Sequence, residues 1–357
     1  MDIYRLIDDI SRHDTTAPVI LVEGAAAVPA LARYLDAPPS SVPHARLFAV
    51  SMLNAIPVVE ATVALRRALH RHELQGLSPT VAESEWLVQN AAFAVLAGRL
   101  GNAIIPEIDY GLDGARLAAA VEAVGRLRLE ERIPTLVEML ADDTLAEPAR
   151  SSLARFGSLA APVLLAALNR TGKDVISLKR AIASVDLLAQ CSPAKELEAL
   201  RVLLGGTHPA LAAAAGLALV HTHAKAPVAE LSTALVRGTL LSEAGLAERC
   251  FDALDTLPDK PLSEAVLEVL DITTLPDLYG DPRNISDTAR VRLVTYILCR
   301  SGLDAPDVIE QLPEAILLRA LRRLKYLPAG ATIAALRRHS SKRVRKAAEQ
   351  IAHADGS

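Results

Sequence analysis

One spacing, a glycine followed five residues later by a proline, constrains this chain more than any other feature. Gly24 precedes Pro29, Gly101 precedes Pro106 and Gly157 precedes Pro162, in the segments EGAAAVPAL, LGNAIIPEI and FGSLAAPVL. Apolar helical sequence flanks each copy on both sides. Glycine tolerates the left-handed conformation that closes a helix. Proline in the first turn of the next helix gives up nothing by lacking an N–H. The unit is therefore a helix–turn–helix hairpin of about 30 residues, the size at which internal repeats are sought.

The spacing recurs as a period. Arg99 and Arg155 share one offset and lie 56 residues apart, two periods of 28, with Pro134 midway between Pro106 and Pro162. Pro193, Pro227 and Pro261 extend the series with gaps of 31, 34 and 34 residues. Ile133, Leu136, Val137 and Leu140 form one helical stripe, and Leu117, Val121 and Val124 another. Helix pairs are predicted at 17–36, 44–75, 82–111, 114–141, 145–169, 175–204, 208–238, 243–270, 286–311 and 314–338, with a half-repeat at 341–354. Composition agrees: the chain is 51% hydrophobic but only 3% aromatic, rich in alanine and leucine, and shows no sustained alternation of period two. A lone hairpin cannot bury both faces, so neighbours must stack. The predicted fold is all-α, an α-α superhelix of about ten hairpins forming a solenoid.

The Gly/Pro pairs, together with the stretch SSKRVRKAAEQIA from Ser340 to Ala352, resemble the HEAT family. The likeness is to short bacterial repeats similar to phycobilisome-lyase HEAT-like repeats. In the terminal stretch a turn leads to Val344–Arg345 and then to an alanine-rich face, similar to a HEAT first helix. The resemblance is sharp over 19–35, 91–169 and 331–352. It implies a helical-repeat fold and a binding role, with no partner named. Lyases of that family act on bilin chromophores, but likeness of fold transfers no chemistry.

Residues 1–272 read as an N-terminal and central array, 273–287 as an inter-repeat loop, and 288–357 as C-terminal basic repeats with a cap. Shorter interruptions fall at 37–43 and 74–84. The loop TTLPDLYGDPRNISD offers Asp277, Tyr279, Asp281 and Arg283 as a candidate binding surface, because rigid scaffolds position functional loops. The alternative is a plain linker between stacked blocks.

No reaction chemistry is legible. His70/His72 and His221/His223 are two apart, and helical chelation needs spacings of three or four. No H-E-x-x-H, G-x-S-x-G or phosphate-loop motif occurs, and Gly172–Lys173 stands alone. Cys191, Cys250 and Cys299 are expected as reduced, buried thiols of a cytoplasmic protein. Trp86, Asp109 and Tyr110 are the thin basis for a base-excision site, and Trp86 reads better as a packing residue. The apolar run Pro18–Ala32, broken by Glu23, Gly24 and Pro29, falls short of the ~20 residues a membrane span requires. The opening residues lack the basic and apolar regions of a secretory signal. No catalytic residue, metal or small-molecule cofactor is expected.

Charge carries the functional signal. Net charge is −4, yet ten Lys/Arg and no Asp/Glu fall between Arg319 and Lys346, leaving 28 of the 38 basic residues against all 42 acidic ones. Arg337, Arg338, Lys342, Arg343, Arg345 and Lys346 form a candidate patch for an anionic partner. A solvated solenoid cap is the competing reading, although a cap does not require a single sign of charge. Aromatics to stack single-stranded bases are lacking, with Tyr326 alone nearby. The function expected is that of a non-catalytic scaffold or adaptor binding a protein, including a bacterial immunity or inhibitor protein. The alternative is a nucleic-acid-binding HEAT-like protein, DNA-glycosylase-like at the extreme, using the basic block.

Overall fold

The computed structural model describes residues 13–71, 74–170, 174–191, 197–206, 208–241, 244–271, 274–276, 282–300, 305–323 and 330–354. They are helical almost throughout, so the chain is all-α in class. Two compact units divide it, Met1–Phe156 and Gly157–Ser357.

The first unit contains α1 (His13–Glu23), α2 (Val28–Asp36), α3 (His44–Ala55), α4 (Val59–Arg71), α5 (Pro79–Leu100), α6 (Ile105–Asp109), α7 (Ala118–Leu127), α8 (Ile133–Met139) and α9 (Ala146–Phe156). The second contains α10 (Ala161–Asn169), α11 (Val175–Cys191), α12 (Leu197–Leu204), α13 (Pro209–His221), α14 (Val228–Thr239), α15 (Ala244–Leu254) and α16 (Asp259–Leu270). After the strands β1 (Thr274–Pro276) and β2 (Pro282–Asn284) come α17 (Asp287–Cys299), α18 (Ala305–Gln311), α19 (Glu314–Arg323), α20 (Gly330–Arg338) and α21 (Lys342–Ala354). Each predicted helix pair, and the final half-repeat, corresponds to helices in these positions.

The Gly-x₄-Pro turns have one geometry. Gly24, Gly101 and Gly157 sit at φ +53°, +52° and +58°, and each opens a four-residue 3₁₀ turn before the next α-helix. Pro29, Pro106 and Pro162 occupy the first positions of those helices. Two turns dispense with glycine. Arg128 (φ 54°) takes the left-handed position ahead of Pro134, and His223 (φ 50°) does so ahead of Pro227.

Within the first unit, α2 packs on α3 and α4, α3 on α5, α5 on α7, and α7 on α9. Within the second, α11 packs on α13, α13 on α15, α12 on α14, α14 on α16, α17 on α19, α18 on α20, and α19 on α21. Contact with the next helix and the next but one is what hairpins require when one alone cannot bury its faces. The stripe that seats α4 is Ala61, Ala64, Leu65, Ala68 and Leu69, all buried. Helix α13 is buried from Pro209 through Leu219, with α11, α12, α14 and α15 around it. Between α7 and α9 the approach is closest at Gly125, where an added Cβ would lie 2.7 Å from the Ser152 Cα. Ser152 donates there to the Val121 carbonyl at 2.8 Å.

Three expectations change. Part of 273–287 is paired backbone, not plain loop: β1 and β2 form an antiparallel hairpin with Leu275 opposite Arg283. The three cysteines are free, but only Cys250 is buried; Cys191 is half-buried and Cys299 exposed, because each of those two is the last residue of its helix. Finally, Ala17–Asp36, Pro79–Gly114 and Ala146–Asn169 are long and apolar enough to cross a membrane, the first extending beyond Ala32 to reach 20 residues. Each of these stretches is divided by one of the left-handed glycines.

Candidate functional site

Helix α20 ends on Arg337 and Arg338, and α21 begins with Lys342 and Arg343, so the folded chain keeps the basic block together around one short turn. Arg337, Arg338, Lys342, Arg343 and Lys346 are exposed. Among the described residues, no carboxylate lies within ion-pair distance of any of them. Lys342 and Arg343 occupy the first helical turn, where the macrodipole already carries positive charge and acidic residues are favoured. Their placement costs local stability, which a bound anion would restore.

Arg345 serves a different role. Its guanidinium donates to the His339 and Ser340 carbonyls at 2.6 and 2.8 Å, closing the C-terminal end of α20. One acid also reaches the turn from outside the basic window. Glu310 on α18 accepts from the Ser340 N–H at 3.0 Å and lies 3.9 Å from His339. The Ser340 hydroxyl and backbone N–H hold the Glu310 carboxyl below the usual glutamate range.

Elsewhere, several arginines are paired with carboxylates distant in sequence. Arg116 meets Asp142 and Arg132 meets Asp109, each at 2.6 Å, and Arg237 meets Glu268 and Arg249 meets Asp186, each at 2.9 Å. Arg319, inside the basic window, is bound to Asp287. Other arginines close helix ends. Arg99 donates to the Leu53, Asn54 and Ile56 carbonyls and to the Thr62 hydroxyl. Arg300 repeats the device at Leu254 and Leu257, at 2.6 and 2.5 Å, with Asp259 at 3.1 Å.

Two surface grooves were not anticipated. In the second unit, about 340 Å³ is lined by Phe251, Asp252, Asp255, Arg292, Tyr296 and Arg323, among others, from α15, α17 and α19. Arg292 lies 4.3 Å over the Phe251 ring and is paired with Glu248. Tyr296 donates to Asp255, and burial, then that bond, pushes its hydroxyl up to about 12. In the first unit, about 620 Å³ is lined by Val63, Arg66, Arg67, His70 and Arg71 of α4. The lining residues of the Phe251 groove lie up to 72 positions apart, and those of the α4 groove form one ordinary-looking polar helix face, so no motif marks either.

Of the candidate loop, Asp277, Tyr279 and Asp281 lie outside the described residues, as does the side chain of Arg283. The residues weighed for base excision have separate partners. Trp86 donates to the Arg116 carbonyl at 3.2 Å, Asp109 holds Arg132, and Tyr110 meets His70 edge-on with ring centroids 4.3 Å apart. Burial pushes the Cys250 thiol up to about 12 and raises those of Cys191 and Cys299. Among the described residues, no three His, Cys, Asp or Glu side chains converge as a metal site. No family model, curated protein or solved structure matches the chain.

Proposed function

We propose that this chain is a HEAT-like helical-repeat scaffold that acts by binding, not by catalysis, and that its basic C-terminal end receives an acidic surface of a protein partner. The observation that carries the reading is the contrast in charge pairing. Arg337, Arg338, Lys342, Arg343 and Lys346 are exposed together without an acidic partner among the described residues, whereas many arginines elsewhere, such as Arg116, Arg237 and Arg300, are committed to carboxylates or helix ends. A compact field of one sign steers and orients an oppositely charged surface. Stacked hairpins would make a superhelix with an extended surface behind that contact. Its setting is the cytoplasm, where three free thiols stay reduced.

The alternative is a nucleic acid on the same cations. It is less favoured because no base-stacking aromatic accompanies them among the described residues. Fluorescence anisotropy with a glutamate-rich peptide and with a DNA duplex separates the two, using wild type and an Arg338→Gln/Lys342→Gln/Arg343→Gln/Lys346→Gln variant. The scaffold reading expects salt-sensitive peptide binding that the variant loses. Tighter binding of DNA than of peptide would favour the alternative. Failure of both probes to bind at low salt would reduce the patch to a solvated cap.

A further inference from the structure

We infer that the groove on α4 of the first unit is a binding site for a phosphoryl-bearing small molecule. This site lies outside the basic C-terminal end and does not depend on the scaffold reading.

Three guanidinium groups and an imidazole line the groove: Arg66, Arg67, His70 and Arg71. The groove, about 620 Å³, lies open along one face of α4. A single carboxylate organises two of these side chains. Glu107, only 12% exposed, lies 2.9 Å from Arg66 Nε through one oxygen and 2.6 Å from His70 Nε2 through the other. Contact through Nε leaves both terminal nitrogens of Arg66 without a partner among the described residues. That end of the guanidinium is the fork that grips phosphate or carboxylate in two-point fashion. Tyr110 abuts His70 from the side and limits its swing.

The balance of charge among the described residues favours an anion. Arg67 is held by Asp36 at 2.5 Å, yet Arg71, exposed, has no carboxylate within ion-pair distance among the described residues. Among the described residues, Arg66, Arg67 and Arg71 are met by two acids, Glu107 and Asp36, which leaves one positive charge in excess, and Glu107 is already committed to two donors. Arg66 and Arg67, held by Glu107 and Asp36, bind an anion with less side-chain freedom left to lose.

The test is isothermal titration of the full chain with inorganic pyrophosphate, against a sodium chloride blank of equal ionic strength. Arg66→Gln, Arg71→Gln and a Lys342→Gln/Arg343→Gln control accompany the wild type. Wild type and control should show one saturable site, and each groove variant should bind about tenfold more weakly, the loss typical of one charged contact. Arg71 is exposed on the last turn of α4, so its variant retains the fold, and a circular dichroism spectrum verifies this for both. Citrate replaces pyrophosphate in a second arm and should bind more weakly. Heats equal to the blank would overturn the proposal. So would groove variants that bind like wild type, or citrate that binds as tightly as pyrophosphate.

Discussion

Replacing Arg46 by methionine should unfold the first unit far more readily than any surface charge deletion. Arg46 on α3 and Glu85 on α5 form an ion pair whose side chains are 7% and 0% exposed. Arg46 also donates to the Leu35 carbonyl at 3.0 Å, tying three helices together. Removing one member of a buried pair leaves an uncompensated charge and costs about 3–5 kcal/mol. The Leu35 carbonyl loses its donor in the same step. Removing both members is a different perturbation. The Arg46 Nε is buried without a hydrogen-bond partner, so the pair is incompletely satisfied as it stands. Such pairs exchange for apolar residues at little net cost, so Arg46→Met/Glu85→Leu should lose chiefly what the unpaired Leu35 carbonyl costs, about 1–3 kcal/mol, and stay more stable than either single variant. Urea unfolding followed by fluorescence reads this directly, because Trp86, the one tryptophan, adjoins Glu85 in the first unit. The midpoint should fall sharply in each single variant and recover in part in the double, with the slope unchanged. A single variant costing less than about 1 kcal/mol, or a double variant as unstable as the singles, would refute the reasoning.

Three further outcomes follow from other contacts. Arg99→Ala, which uncaps the C-terminal end of α3 at three carbonyls, should cost about 2–3 kcal/mol in the same unfolding assay. Gly101→Ala should cost about 1–3 kcal/mol through backbone conformation alone, since φ +52° with ψ −125° suits glycine and little else, and nothing lies within 4 Å of the added Cβ. Glu310 has its carboxyl depressed in the folded state, so its stabilisation is present above the ordinary glutamate pKa of 4.5 and is lost as pH falls through the lower folded value. Thermal melts across that window should converge for wild type and Glu310→Gln at the acid end and separate above it.

The hairpins were legible because their turns are written in backbone chemistry. A glycine needed at positive φ and a proline needed at a helix start leave a fixed spacing, and Gly24, Gly101 and Gly157 satisfy it. Arg128 and His223 show the limit. They take a positive φ without being glycine, Arg128 with ψ +48° in the left-handed α region where Gly101 has ψ −125°, and no sequence rule marks them. The basic block was legible by counting, but its internal division was not. Arg345 faces two carbonyls and Glu310 reaches Ser340 from 30 residues away, neither of which is visible in a run of letters. The α4 groove escaped for a related reason. Arg66, Arg67, His70 and Arg71 look like a solvated helix face until Glu107, 37 residues beyond His70, is brought against them. The β1–β2 hairpin was missed because three-residue strands are too short to show alternation.

Lysine acetylation footprinting tests the central claim most directly, because it reports where an acidic partner sits as well as whether it binds. Lys342 and Lys346 lie in the basic end, and Lys225 and Lys260 are exposed elsewhere in the same unit. With a saturating glutamate-rich peptide, Lys342 and Lys346 should become protected while Lys225 and Lys260 react at their free rates. Equal protection of all four, or none at Lys342 and Lys346, would contradict an acidic partner docking at the C-terminal end.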